Sequence, residues 1–258
     1  MITRRTFLAS ASAAAATAAS AAAFRQKIGI NIYSLRYEAA KDLPATLALI
    51  RELGFDEVEA GDLYGRTPEA FAGLLQAHGL RATSYGAAWA ALNTDTSRVA
   101  AQAHTLGASY VVCSTIPHSA RHLAEADCAP AADHLNRWGE RLAASGLHLC
   151  YHTHGTEFDP SPDGTRFDTL ARLTDPKCVN FEMDIFWIVY GGQDPARMLR
   201  RYPERFPLMH IKDIYRLYED EIESLPTMQE VRKEEERRAV GQAERNPEPE
   251  EIAPCHER

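Results

Sequence analysis

The sequence predicts an α/β fold, a (β/α)8-type barrel lacking a normal eighth strand, and three observations carry that prediction. Short apolar runs alternate with helical stretches from residue 27 to about residue 214, with short connections between them. Three later runs end in side chains able to bind a cation. They are Leu149-Cys150-Tyr151-His152-Thr153-His154-Gly155-Thr156-Glu157-Phe158, Val179-Asn180-Phe181-Glu182-Met183-Asp184 and Phe206-Pro207-Leu208-Met209-His210-Ile211-Lys212-Asp213. Such residues at the C-terminal ends of parallel strands mark where barrels assemble their sites. A doubly wound open sheet competes with the barrel. It usually carries a glycine-rich loop after its first strand, whereas Ile32-Tyr33-Ser34-Leu35-Arg36 follows here without a glycine.

The elements follow in order. Residues 27–35 form an apolar strand, and 42–53 a helix that Asp42 caps, with Pro44 in its first turn and Leu47, Ile50 and Leu53 on one face. Gly54 closes it. A strand at 57–60, a helix at 67–78 closed by Gly79, and a strand at 81–85 repeat the cycle. Then come a helix at 97–106, a strand at 110–115, a helix over about 124–144 and a strand at 148–152. The last pairs are helix 167–173 with strand 179–183, and helix 194–201 with strand 207–211. From Glu219 on the pattern breaks. Arg232-Lys233-Glu234-Glu235-Glu236-Arg237-Arg238 is a charge run and the end is acidic and proline-punctuated, so 219–258 reads as a solvated helix followed by disorder. Ile222, Leu225, Met228 and Val231 recur at helical spacing and could lay one helix across the open edge.

A net charge of −8 with no concentrated Lys/Arg face argues against a nucleic-acid partner. Cys113, Cys128, Cys150, Cys178 and Cys255 are widely spaced and odd in number, which favours buried thiols over a zinc ribbon or a disulfide framework. Arg4-Arg5 followed by Phe7-Leu8 and an Ala/Ser-rich stretch to residue 23 resembles a twin-arginine export signal. The stretch is too weakly apolar to read as a membrane span. Residues 1–23 are therefore set apart from a domain at 24–218. The twin-arginine export machinery is the expected partner and the periplasm the expected location.

His152 and His154 lie two apart on a strand and so face the same way. Glu182 and Asp184 share a side of theirs, and a buried carboxylate needs a metal or a hydrogen-bond partner. His210 sits among apolar neighbours. Glu59 either reaches the same pocket or serves as a cap or salt bridge.

These stretches resemble the xylose-isomerase-like sugar isomerase/epimerase superfamily of TIM barrels, over about residues 27–214. The most specific parts are Gly54-Phe55-Asp56-Glu57-Val58-Glu59, Tyr151-His152-Thr153-His154 leading to Glu157, Thr174-Asp175-Pro176-Lys177, Phe181-Glu182-Met183-Asp184, and Arg201-Tyr202-Pro203-Glu204-Arg205-Phe206-Pro207 through Asp213. The resemblance implies a divalent metal ion, Mn²⁺, Mg²⁺, Co²⁺ or Zn²⁺, held by Glu157, Asp184 and His210. It implies catalytic roles for Glu157 as base and for His152 and Lys212, with His154, Glu59 and Trp187 facing a small sugar or polyol. The implied reaction is isomerisation or epimerisation of a sugar or keto-sugar. An inosose-dehydratase-like lyase and a non-catalytic sugar-binding or vestigial barrel stand as alternatives. Relatives carry a further metal-binding glutamate on an eighth strand, and no such strand is legible after Asp213. An open barrel leaves three outcomes: instability, cover by a second copy in a homo-oligomer, or impaired activity.

Overall fold

Asn31 ends the first strand. Its Oδ1 accepts from the Tyr33 amide at 2.9 Å, which turns Ile32–Leu35 into a 3-10 turn and stops β1 (Gly29–Asn31) short of the expected residue 35. The structure, a computed structural model, describes residues 28–118 and 122–212. The segment expected to be an export signal and the charged tail lie outside the described residues.

The further strands are β2 (Glu57–Ala60), β3 (Arg81–Gly86), β4 (Tyr110–Cys113) and β5 (His148–His152), then a small antiparallel hairpin of β6 (Pro160–Ser161) and β7 (Gly164–Thr165), and finally β8 (Val179–Asp184) and β9 (Leu208–His210). Seven of them form one parallel sheet in the order β1-β2-β3-β4-β5-β8-β9. The sheet curls far enough to bring His210 of β9 within 3.3 Å of Glu59 of β2. The fold is an α/β barrel, and no eighth barrel strand occurs among the described residues.

The helices are α1 (Arg36–Lys41), α2 (Leu43–Glu52), α3 (Pro68–Ala77), α4 (Trp89–Leu106), α5 (Glu125–Ala144), α6 (Arg166–Leu173), α7 (Ile185–Tyr190) and α8 (Pro195–Arg201). Side-chain caps start α2 at Asp42, α3 at Thr67, α6 at Thr165, α7 at Asp184 and α8 at Asp194. Helix α4 begins earlier than the expected residue 97, because an additional helical stretch from Trp89 joins it across a kink. Asp95 is extended there (φ −156°, ψ 87°) and its Oδ1 caps the Arg98 amide at 3.0 Å, which is the start that the sequence pattern reveals.

Strand alternation separates two faces. Val58, Leu149, Val179 and Phe181 are buried toward the helices, where the Phe181 ring sits 4.8 Å from Phe167 of α6. Glu59, His152, Glu182 and Asp184 take the other parity. Helix α5 lies directly on the sheet: a Cβ on Gly139 would stand 2.5 Å from the Cys178 carbonyl oxygen, so only glycine permits this approach.

Candidate metal centre

Parallel register builds the site. Asn31 is opposite Glu59, Glu59 opposite Ser84, His152 opposite Glu182, and Asp184 opposite His210. A register shift between Val58 and Glu59 places Ser84, rather than Thr83, beside Glu59. Glu59 then accepts from Asn31 Nδ2 and from Ser84 Oγ, each at 2.7 Å, one on each carboxylate oxygen.

Two sets of potential ligands share His210: His152 with Asp184 and His210, and Glu59 with Glu182 and His210, the ligand atoms of each set within 4.8 Å of one another. Contacts distinguish them. His152 points Nδ1 at Glu182 Oε2 (2.7 Å) and Nε2 at Asp184 Oδ2 (3.6 Å). His210 points Nε2 at Glu59 Oε1 (3.3 Å) and Glu182 Oε1 (3.5 Å), and Nδ1 at Asp184 Oδ2 (3.7 Å). Both imidazoles thus stand between the carboxylate pair and Asp184. Asp184 Oδ1 accepts from the Trp187 amide at 3.3 Å, as the cap of α7. Oδ2, fully buried, lies against Lys212 Nζ and both histidines but has no hydrogen bond of good geometry among the described residues. Two imidazole nitrogens and a carboxylate oxygen around one point are an N/O donor set that suits Zn²⁺, Mn²⁺ or Co²⁺.

The protonation states follow from burial and neighbours. Burial disfavours charge on Asp184, but its contacts with His210 and Lys212 outweigh this and hold it at about 2. Burial, with the adjacent His154 and His210, pushes His152 down to about 3, so it is neutral. Burial likewise lowers His154. Burial together with the charge of Glu59 raises Glu182; for Glu59, the same burial is overcome by bonding to His210 and Glu182, and its carboxyl is lowered. The two carboxyls are thus driven apart, Glu182 toward its protonated form and Glu59 toward its carboxylate.

The structure brings Asp184, His210, His152 and Glu59 together and does not bring Glu157 into either set. Gly155, at φ 85°, turns the chain into a 3-10 turn (Thr156–Phe158) that buries Glu157 to 1% exposure. There Oε1 accepts from the Tyr151 hydroxyl and Oε2 from the His154 amide at 3.2 Å. Among the described residues, Glu157 meets the centre's neighbourhood through the His154 amide. The His154 ring packs 4.5 Å from His152 and 5.8 Å from Trp187, and Lys212 Nζ lies 5.9 Å from the Trp187 ring centre. These three side chains form one wall beside Asp184.

Sequence reasoning did not find Asn31 or Ser84, whose place beside Glu59 arises from cross-strand register alone. It did place Glu182 on the side of Asp184 without a role; the two-residue spacing was the available signal.

The family profile described as "Xylose isomerase-like TIM barrel" matches residues 47–241. An inosose dehydratase of Geobacillus kaustophilus (strain HTA426) is 27% identical over 192 residues, which cover 65% of this chain and 61% of that protein. Inosose dehydratase 2 of Bacillus cereus is 29% identical over 184 residues, covering 62% and 60%. The match thus spans about three fifths of the length of these curated relatives. The crystal structure of a sugar phosphate isomerase/epimerase from Parabacteroides distasonis ATCC 8503 is similar at TM-score 0.63 and 28% identity, covering 73% of this chain and 75% of that one. The IOLI protein, solved with a zinc atom, shares the fold at TM-score 0.53 and 15% identity, covering 73% of each chain.

Proposed function

Because this chain belongs to the xylose isomerase-like TIM barrel family, we propose that it is a divalent-metal-dependent enzyme that moves a proton beside the carbonyl of a sugar or keto-polyol. The observation that carries this reading is the approach of His152 Nε2 and His210 Nδ1 to one buried oxygen, Asp184 Oδ2, beside the His154–Trp187–Lys212 wall. His152, Asp184 and His210 would hold the ion. When bound, a divalent cation polarises a carbonyl and acidifies the neighbouring C–H.

The chain's own groups handle the proton. His154, kept neutral by burial, accepts it from the carbon next to the carbonyl. The Glu157 carboxylate behind His154 favours the resulting imidazolium. Lys212 donates a hydrogen bond to a substrate oxygen, and Trp187 packs against the carbon skeleton and excludes water. Return of the proton to the former carbonyl carbon, while the hydroxyl proton of the first carbon passes to the carbonyl oxygen, isomerises the substrate, and return to the opposite face of the carbon it left epimerises it. Isomerase or epimerase activity on a sugar or keto-sugar is the first reading, supported by the similarity to the Parabacteroides isomerase/epimerase. Loss of a β-hydroxyl as water, after the same proton abstraction, is the second, supported by the inosose dehydratases among the relatives.

The test strips the purified protein of metal, restores Mn²⁺, Co²⁺, Zn²⁺ or Mg²⁺ singly, and follows deuterium uptake from D₂O into a panel of keto-sugars and inososes. Metal-dependent uptake at the carbon beside the carbonyl is expected, with isomers or dehydrated products separating the two readings. Asp184→Asn is expected to weaken metal binding at least about 100-fold and to abolish uptake. Binding of these compounds with no exchange under any metal would make the chain a non-catalytic sugar-binding barrel. We further propose, from the pattern at residues 1–23, that the twin-arginine machinery exports the protein.

A further inference from the structure

The buried Glu59–Glu182 pair raises a choice. With His210 it makes a second set of potential ligands, so it is either a second cation site or a support for the first. The hydrogen bonds decide between these. Both oxygens of Glu59 already accept bonds, from Asn31 Nδ2 and Ser84 Oγ at 2.7 Å each, and Glu182 Oε2 is taken by His152 Nδ1 at 2.7 Å. Acceptors engaged in this way belong to the layer behind the ligands of a metal, where carboxylates fix the ring orientation of ligating histidines. The opposite nitrogens, His152 Nε2 and His210 Nδ1, face Asp184 Oδ2 at 3.6 and 3.7 Å.

We infer that Glu182 and Glu59 are positioning residues: Glu182 takes the Nδ1–H of His152 and Glu59 takes the Nε2–H of His210, which presents the other nitrogen of each ring to a single ion beside Asp184. The two histidines are thereby held in opposite tautomers, Nδ1–H for His152 and Nε2–H for His210. Asn31 and Ser84 anchor Glu59 in turn, so the support runs unbroken from β1 to β9 across the inside of the curled sheet. This inference rests on the metal-dependent reading above and adds the stoichiometry, the ligating nitrogens and the residues that select them.

The experiment titrates the metal-free full chain with Zn²⁺ by calorimetry and reads histidine tautomers by long-range ¹H–¹⁵N NMR in the zinc-loaded protein. One ion per chain is expected, with Nδ1–H on His152 and Nε2–H on His210. Glu182→Ala should weaken zinc binding by roughly 10–100-fold, and Glu182→Gln, which keeps an acceptor for His152, should restore most of the affinity. Ser84→Ala, a milder change at the far end of the support, should lower affinity by a few-fold and serves if the Glu182 variants do not fold. Two ions per chain, the reverse tautomers, or unchanged affinity in the folded Glu182→Ala and Ser84→Ala proteins would overturn the inference and leave the metal-dependent reading standing. A wild-type chain that binds no Zn²⁺, Mn²⁺ or Co²⁺ would overturn both.

Discussion

His154 and His152 are two residues apart and both held neutral by burial, yet their surroundings differ, and the different work proposed for them rests on that difference. His152 has both ring nitrogens directed at carboxylates, Glu182 and Asp184, whereas His154 lies between His152 and Trp187 with Glu157 at its back. Loss of a general base typically costs about 10²–10⁴ in rate. His154→Gln is therefore expected to lower kcat by that order while calorimetry still finds one ion bound; loss of the ion would place His154 among the ligands instead. A second residue-scale expectation concerns Cys113. Burial pushes its thiol up to about 12. Above pH ~9 the unfolded chain releases this proton while the folded chain keeps it, so folded-state stability is intact below that pH and falls as pH rises beyond it. Denaturant midpoints measured from about pH 8 to 11 should decline, and Cys113→Val should flatten the decline.

At the scale of elements, glycines in two helices give opposite forecasts. Alanine in place of a mid-helix glycine gains about 1 kcal/mol from propensity. At Gly73 in α3 nothing lies within 4 Å of the new Cβ, so Gly73→Ala should stabilise the protein by about that amount. At Gly139 in α5 the new Cβ would meet a backbone oxygen at 2.5 Å, and no rotamer change can relieve this. Overpacking costs about 1–3 kcal/mol or more, so Gly139→Ala should lower the denaturant midpoint. An increase there would show that α5 can lift from the sheet without penalty.

The elements also show what the sequence could disclose. Asp42, Thr67 and Asp194 mark helix starts because a cap is a local event, a side chain bonding amides two or three residues ahead. Asp184 and His210 were legible as candidate ligands because each ends an apolar strand. That His152, rather than Glu157, lies beside them in the fold was not legible, since it depends on the direction taken by the turn after Gly155. Asn31 and Ser84 were further out of reach: their link to Glu59 spans 28 and 25 residues and exists only once three strands are in register.

For the whole molecule, the forecast on export concerns residues outside the described structure. Replacing Arg4 and Arg5 together by Lys should leave the protein in the cytoplasm, as measured by fractionation; undiminished delivery of the double variant would refute the targeting proposal. The centre itself has a different kind of constraint. Its neighbours are set by residue-for-residue pairing along the ladder: Asn31 with Glu59, His152 with Glu182, Asp184 with His210. One residue inserted into β8 ahead of Glu182 would turn Glu182 and Asp184 outward, toward Phe167 and the helices, and turn Phe181 or Met183 inward. Over descent, then, a one-residue change of length within β8 harms this centre more than most single substitutions along it, because it turns two carboxylates away at once.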